Sequence, residues 1–254
     1  YYADYWAGVG PMAGGEPLKN APVENCANLA FSFLTGAMDE GFYRNKLTGY
    51  TKTAFDSLQA KYAGRLMNHS ADSLFRHRIE LIPNCGHSID YSLTTPWLKT
   101  YKRNPYPHTF MWEDYPMDGQ RRQGFYNLYV MKRPKAADGL KDASGEDRDY
   151  YEMDIQDNVI RLSVKKVTYQ TLERDPVYGI DLKFTKSYHP VIGGKWKIYL
   201  NDQLVDMNRP VTVFINDRKA FEGKLVPRME DMITSCMEYF DPCRVFPASV
   251  DVAL

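Results

Sequence analysis

The clearest structural signal in this chain lies in one stretch, Leu29-Ala30-Phe31-Ser32-Phe33-Leu34-Thr35-Gly36-Ala37-Met38-Asp39. It begins with an almost continuously apolar run, which is typical of a strand covered on both faces in a parallel sheet. Gly36 ends this run, and the Asp39 carboxylate follows three residues later. Parallel α/β sheets place their functional sites at the carboxyl ends of the strands, so Asp39 is a candidate site residue. The alternative is that Asp39 only caps the next helix.

The residues that follow predict a helix and a second strand. Apolar side chains at helical spacing predict a helix over 45–62, and the alternating segment 75–82 predicts a strand that ends at Pro83. His87 comes soon after, and the neighbouring Gly86 permits a tight turn that lets the imidazole project over the sheet edge. A carboxylate and a histidine on successive edge loops are the pair that a nucleophilic triad needs, because the carboxylate fixes the imidazole tautomer. We therefore expect Asp39 and His87 to lie within about 2.6–3.2 Å of each other.

The later part of the chain has a different pattern. Residues 134–156 are rich in charged residues and glycine and predict a linker between domains. Short alternating strands then predict a small antiparallel β-sandwich of the immunoglobulin-like kind over 157–254. An amphipathic helix near 229–240 is expected to cap the sandwich with the face that carries Met232, Ile233, Cys236, Met237 and Phe240.

Composition excludes several classes of function. Lys and Arg number 32 and Asp and Glu number 32, so no net charge attracts a nucleic-acid backbone or an anionic membrane. No apolar run approaches the roughly 20 residues of a transmembrane helix. A hydrophobic content of 44% is too high for a disordered chain. The four cysteines form no CxxC pair and are expected to be small core residues, although Cys236 and Cys243 could bridge.

Several short segments resemble parts of one known superfamily. They are Tyr5-Trp6-Ala7-Gly8-Val9-Gly10-Pro11-Met12-Ala13-Gly14, Gly36-Ala37-Met38-Asp39, Gly86-His87, and the later segments 112–122, 205–206 and 210–213. Together they resemble the α/β-hydrolases, and within them the secreted bacterial esterases and polyhydroxybutyrate-depolymerase-like proteins that carry a β-sandwich appendage. The resemblance implies an α/β fold, in which residues 1–133 are the C-terminal part of a hydrolase sheet.

The same resemblance implies a function. Asp39 would be the acid and His87 the general base of a serine esterase that needs no metal or organic cofactor and works outside the cell or in the periplasm. The substrate would be an ester or, less often, a peptide. The family's Gly-x-Ser-x-Gly nucleophile motif occurs nowhere in these 254 residues. We therefore expect the nucleophile to precede Tyr1 in a longer protein, and the chain alone to be inactive.

A missing upstream portion has a consequence for partners. The strand expected over 6–12 would then be an open apolar edge, able to pair with another chain. The expected partner is the N-terminal remainder of the hydrolase domain or a second copy of this chain. Nucleic acid and membranes are not expected as partners.

Three alternatives remain open at this level. A non-catalytic module could bind carbohydrate or protein through aromatic side chains. The candidates for such a platform are Tyr101, Tyr106, Phe110, Trp112 and Tyr115, with Trp196 and Tyr199 as a second group. A cysteine hydrolase could use Cys85 with His87. A metal site could be formed from His69, Asp72, His77, His87 and Asp90, although no standard ligand spacing occurs.

Overall fold

The computed structural model describes residues 1–64, 73–117, 119–137, 139 and 148–254. Of these residues 39% lie in strands and 19% in helices. The strands form several small sheets, and the helices are too few to flank them as they flank a hydrolase sheet. The predicted α/β-hydrolase fold is therefore wrong, and the protein is mostly β. It contains two compact units, one of residues 1–104 with 169–186, the other of 105–168 with 187–254.

The first unit contains a small parallel sheet. Its strands run in the order β1-β2-β3, with the bounds β1 Gly8–Val9, β2 Ala30–Gly36 and β3 His77–Ile82. Its helices are α1 Arg44–Lys61 and α2 Thr94–Leu98, with short 3₁₀ turns at Ala3–Tyr5, Val23–Cys26 and Gly41–Tyr43. Only two residues of the predicted edge strand 6–12 form a strand, and Met12 adds one isolated bridge to Leu34.

Burial explains why this sheet was recognisable. Six of the seven residues of β2 are buried, which the continuous apolar run predicted. Phe55 of α1 is fully buried, and its ring stacks at 4.7 Å on the ring of Phe31 in β2. The predicted helix and second strand are confirmed, with their ends shifted by one or two residues. The error lies in the extension of this three-stranded sheet to a whole hydrolase domain.

The second unit consists mainly of antiparallel strands and one helix. Its strands are β4 Thr109–Asp114, β5 Gly124–Phe125, β6 Leu128–Lys132, β7 Lys135–Ala136, β8 Arg148–Gln156, β9 Val159–Arg174, β10 Asp181–His189, β11 Val191–Ile192, β12 Lys195–Leu200, β13 Val211–Ile215, β14 Arg218–Gly223 and β15 Ala248–Ala253. The helix is α3 Met229–Tyr239. The far ends of β9 and β10, residues 169–174 and 181–186, belong to the first unit.

These strands form a six-stranded and a four-stranded sheet, with β7 and β11 pairing separately. The six-stranded sheet has the order β14-β13-β9-β8-β4, with β10 also paired to β9, and the four-stranded sheet has the order β15-β12-β6-β5. The rings of Trp112 in β4 and Phe125 in β5 stack at 5.3 Å, so side chains of both sheets share one core. The pairing of β13 with β9 is parallel, which departs from the predicted antiparallel sandwich.

The predicted domain limits differ from these units. Residues 148–156 of the predicted linker form β8, the central partner of β4 and β9. The segment 109–114, for which no strand was predicted, is the buried strand β4. Because both faces of β4 are buried, its sequence shows no alternation of polar and apolar residues. Residues 138 and 140–147 of the predicted linker lie outside the described part of the chain.

A buried group of charges lies where β4 and β8 pair. Asp114 and Asp149 are opposite each other in the register, and both side chains are almost fully buried. Arg133 contacts both carboxylates, and the Lys166 ammonium lies 2.7 Å from Asp149 Oδ1. Burial raises the pKa of Asp114 to about 6, although the nearby Arg133 acts to lower it.

Helix α3 has the predicted position but the opposite orientation. Its buried residues are Asp231, Ser235 and Tyr239, whereas the apolar face expected to cap the sandwich is exposed. Specific hydrogen bonds hold the polar face inward: Ser249 Oγ donates to Asp231 Oδ1 (2.7 Å), and the Phe246 amide donates to Ser235 Oγ (2.9 Å). Satisfied buried polar groups can outweigh the general preference for burying apolar ones, because an unsatisfied one costs about 1–3 kcal/mol.

Candidate functional site

The turn that follows β2 positions the Asp39 side chain. The Asp39 amide donates to the carbonyl oxygen of Gly36 (3.1 Å), and the Asp39 carbonyl accepts a hydrogen bond from the Asn45 amide (3.0 Å) in α1. The N-cap residue of α1 is Tyr43, and no side chain caps this helix. The Asp39 carboxylate is thus not a helix cap, and its two oxygens are directed to other partners.

Backbone hydrogen bonds hold the loop after β3 against this turn. The Ala37 amide donates to the carbonyl of Ile82, and the Met38 amide donates to the carbonyl of Cys85, both at 2.9 Å. A Cβ atom on Gly36 would lie under 3.0 Å from backbone atoms of Cys85 and Gly86. The close approach of the two loops therefore requires glycine at position 36.

This approach brings Asp39 and His87 together. The Nδ1–H of His87 donates to Asp39 Oδ2 at 2.9 Å, inside the interval expected from the sequence. The Arg44 guanidinium donates to the other carboxylate oxygen, Oδ1, at 3.1 Å. Only 3% of the Asp39 side chain is exposed, whereas both donors are partly open to solvent, so the two hydrogen bonds are part-buried.

The electrostatics of Asp39 determine the tautomer of His87. Burial acts to raise the pKa of Asp39, but the hydrogen bonds from His87 and Arg44 together outweigh it, and the pKa lies below its usual value. Asp39 is therefore ionised at neutral pH and accepts a hydrogen bond from the imidazole of His87. A neutral His87 consequently carries its hydrogen on Nδ1, and its Nε2 can accept a proton.

A comparison with His77 shows what distinguishes His87. His77 uses both ring nitrogens, Nδ1 at 2.8 Å from the Phe75 carbonyl and Nε2 at 3.0 Å from Asp56 Oδ1, and its side chain is buried. His87 uses Nδ1, and 64% of its side chain is exposed. Both histidines have a carboxylate partner, but the geometry leaves only His87 suited to exchange a proton with a bound molecule.

Two residues that sequence reasoning missed lie between Asp39 and α1. Phe42 and Tyr43 both adopt left-handed backbone conformations, with φ of 52° and 58°. Such conformations are strained for aromatic residues and tend to occur at functional sites. The Phe42 ring lies 4.5 Å from that of Tyr178, and Tyr43 Oη donates to Asp175 Oδ1 (2.9 Å). The link to residues 175–178 has no signal in the sequence, because more than 130 positions separate the partners.

Arg44 connects these aromatic residues to the carboxylate. Its guanidinium lies 5.0 Å from the centre of the Phe42 ring while it donates to Asp39. Phe42 and Tyr178 are each about half exposed, so they form an aromatic surface next to the residue that binds Asp39. Arg44 follows Asp39 by five residues, and this short spacing is the one sequence feature that could have identified it.

The other candidates from the sequence do not assemble into a site. Among the described residues, no group of three or more His, Cys, Asp or Glu side chains could hold a metal ion. His69 and Asp72 lie outside those residues. Cys85 contributes its backbone carbonyl to the loop packing. All four cysteines are free, and Cys236 and Cys243 are exposed rather than in the core.

The expected aromatic platforms do not form as proposed. Phe110, Trp112, Trp196 and Tyr199 are all almost fully buried, so a sugar ring cannot stack on them. Tyr101 accepts a hydrogen bond from the Arg76 guanidinium (2.8 Å), and Tyr115 packs under the guanidinium of Arg148.

None of the helices in the described part of the chain is long and apolar enough to cross a membrane.

Comparison with protein-family models, with curated proteins and with solved structures finds no match to this chain. The geometry of the Asp39–His87 pair is therefore the basis for any statement about function.

Proposed function

We propose that Asp39 and His87 are the acid–base pair of a hydrolytic site that cleaves carboxylic esters. The observation that carries the proposal is the 2.9 Å hydrogen bond from His87 Nδ1 to a buried, ionised carboxylate, with the imidazole otherwise exposed. We infer that the attacking hydroxyl is supplied by polypeptide outside these 254 residues. The proposal rests on the pair itself and needs no α/β-hydrolase sheet, because the same constellation occurs on unrelated folds.

Each residue has one role in the reaction. His87 Nε2 takes the proton of the hydroxyl as its oxygen bonds to the ester carbonyl carbon. The carbon–oxygen bond to the alcohol then breaks, and Nε2 returns the proton to the departing oxygen. Water repeats both steps on the acyl intermediate and releases the acid. Asp39 remains ionised throughout, holds the ring orientation and stabilises the imidazolium.

Arg44 supports this role of Asp39. By donating to Oδ1 it holds the carboxylate in position, so that Oδ2 points at His87 Nδ1. The Arg44 cation also favours the ionised form of Asp39, whereas burial by itself would favour the protonated form. Arg44 acts through Asp39 and is a positioning residue.

The aromatic surface of Phe42 and Tyr178 favours substrates that carry a ring. Flat apolar groups and sugar rings bind aromatic faces through large contact areas. Strained backbone conformations that present an exposed side chain are also more common at binding sites than elsewhere. Removal of the Phe42 ring is therefore expected to raise KM for esters of ring-bearing acids or alcohols more than for small aliphatic esters.

The test compares the 254-residue chain with the complete product of its gene. The complete product is expected to hydrolyse chromogenic esters. His87→Gln is expected to lower kcat/KM by about 10³-fold or more, and Asp39→Asn by about 10²–10⁴-fold. The isolated chain is expected to show no turnover above buffer.

His77→Gln is the matched control, because His77 also pairs with a carboxylate in the same unit but has no nitrogen left for proton exchange. Its effect on kcat/KM should be less than about threefold in protein that is still folded. Equal losses in the two histidine variants would contradict the proposal. Turnover by the isolated chain that disappears in His87→Gln would contradict the assignment of the nucleophile to another segment.

A further inference from the structure

The turn that joins β9 to β10, residues 175–180, belongs to the first unit and has a defined shape. The Asp175 amide donates to the carbonyl of Ile180, and the Gly179 amide donates to the carbonyl of Asp175, both at 2.9 Å. Gly179 has a φ of +67°, which glycine adopts without strain. The turn can therefore hold its side chains at fixed positions.

The Asp175 carboxylate connects this turn to the segment that precedes α1. Its Oδ2 accepts a hydrogen bond from the Tyr178 amide within the turn, and its Oδ1 accepts one from Tyr43 Oη at 2.9 Å. The Phe42 ring lies 4.5 Å from the Tyr178 ring. Asp175 is buried, with 6% of its surface exposed. One buried carboxylate thus closes the turn and binds the segment at the same time.

Phe42 and Tyr43 need such support, because both lie in the left-handed backbone region. Consecutive aromatic residues in this region are strained, and the strain persists only where the surroundings determine the conformation. The backbone supplies part of the support, since the Tyr43 amide donates to the Glu40 carbonyl at 3.0 Å. The turn adds a side-chain contact to each strained residue, from Asp175 to Tyr43 and from Tyr178 to Phe42.

The conformation of this segment determines where the Arg44 side chain lies. Helix α1 begins at Arg44, directly after the two strained residues. The guanidinium lies 5.0 Å from the centre of the Phe42 ring, and a Cβ on Gly41 would be 2.9 Å from Arg44 Nη1. The same Nη1 donates to Asp39 Oδ1 at 3.1 Å. Because the guanidinium packs on residues 41 and 42, relaxation of their backbone would withdraw the cation from Asp39.

We propose that Asp175 is a positioning residue for the Asp39–His87 pair. It holds Tyr43 in place and thereby keeps Arg44 on Asp39. Asp39 Oδ2 then remains directed at His87 Nδ1. The inference rests on the proposed function for its role in catalysis, but the positioning itself can be measured without a substrate.

Titration of the Asp39 carboxyl group, followed by carbon NMR in the 254-residue chain, gives the first test. Burial acts to raise the pKa of Asp39 and the hydrogen bonds from His87 and Arg44 lower it, so withdrawal of Arg44 should raise that pKa. Tyr43→Phe, which removes only the donor hydroxyl, and Asp175→Ala are both expected to shift the titration upward. The Nδ1–H resonance of His87 is expected to weaken in both variants.

The sign of the shift separates positioning from a direct charge effect. Asp175→Ala removes a negative charge, which by itself would lower the pKa of a nearby carboxyl group. An upward shift therefore requires that the Arg44 cation has moved away from Asp39. In an Arg44→Gln background, Tyr43→Phe is expected to add no further shift, because both changes break the same connection.

Glu24→Gln is the matched control, because it also removes one negative charge. Glu24 pairs with Lys186 at 2.6 Å and anchors strand β10 through residues other than 42–44. This variant is expected to leave the Asp39 titration unchanged. An upward shift of the same size in Glu24→Gln would show a general loosening of the unit and would overturn the proposal.

Two further results would overturn it. One is an Asp39 titration that is unchanged in both Tyr43→Phe and Asp175→Ala. The other is a full further shift from Tyr43→Phe in Arg44→Gln protein, which would show that the effect does not pass through the cation.

Kinetics of the complete gene product separate this proposal from the proposed function. Tyr43→Phe is expected to lower kcat about tenfold with little change in KM, as for a misplacement of less than 1 Å. Ester hydrolysis that His87→Gln abolishes and Tyr43→Phe leaves unchanged would overturn the positioning role alone. A complete product that cleaves no ester, with the Asp39 shifts present, would overturn the proposed function and support the positioning by Asp175.

Discussion

Replacement of Gly36 by alanine should separate Asp39 from His87 without touching either side chain. The added Cβ would lie 2.8 Å from the carbonyl carbon of Cys85, and closer still to the carbonyl oxygens of Cys85 and Gly86. Ordinary contacts at Cβ are 3.4 Å or more, so the loop that carries His87 must move by on the order of 1 Å. Overpacking of this kind costs about 1–3 kcal/mol in unfolding free energy.

The displacement should act directly on the pair. The hydrogen bond between His87 Nδ1 and Asp39 Oδ2 is 2.9 Å long, and a further 1 Å would take it beyond hydrogen-bonding distance. The readouts are the downfield proton resonance of the Nδ1–H group, expected to disappear, and urea unfolding. In a catalytically complete protein, a misplacement of 1 Å lowers kcat by about 10²-fold.

Gly86→Ala is the control, since a Cβ at Gly86 meets no atom within 4 Å. Gly86→Ala lowers the conformational entropy of the unfolded chain as much as Gly36→Ala does, an effect worth about 0.4–1 kcal/mol. Any difference in unfolding free energy between the two variants therefore arises in the folded state. If Gly36→Ala keeps the Nδ1–H resonance and unfolds at the same urea concentration as Gly86→Ala, the claim that glycine at position 36 permits the pair is wrong.

Three further predictions concern stability. Because the pKa of Asp114 is raised to about 6, the folded protein between pH 4 and 6 holds a proton that the unfolded chain has lost. The free energy of unfolding should therefore fall by up to about 3 kcal/mol as pH rises through this window. Asp114→Asn should remove this pH dependence in urea titrations. Phe55→Ala empties a fully buried site beside Phe31 and should cost about 3–5 kcal/mol by thermal or urea unfolding, whereas a loss under 1 kcal/mol would mean that Phe55 is not in the core. Asn158→Ala removes the amide that donates to the carbonyls of Asp206 and Pro210 and accepts from the Asp206 amide; a cost of about 2–3 kcal/mol is expected, and an unchanged midpoint would contradict it.

The elements that could be predicted from sequence are those with a local cause. The apolar run of β2, the helical spacing of α1 and the stop at Pro83 each depend on neighbouring residues, and each was placed within two positions. Asp39 and His87 followed from the same local reasoning, because parallel strands bring their carboxyl ends to one edge. The strand β4 was missed since burial on both faces removes the alternation that marks a strand.

The sequence alone was sufficient to locate the Asp39–His87 pair, because strand direction and loop length bring the two loops together whatever lies beyond them. Tertiary structure alone decided which atoms complete the site and which surfaces remain exposed. Asp175 and Tyr178 reach Tyr43 and Phe42 across more than 130 residues, a contact for which no local pattern exists. The apolar side of α3 faces outward because Ser249 and Phe246, distant in sequence, hydrogen-bond to its polar side. Periodicity identifies an amphipathic helix, but the partners available in the folded chain decide which face is buried.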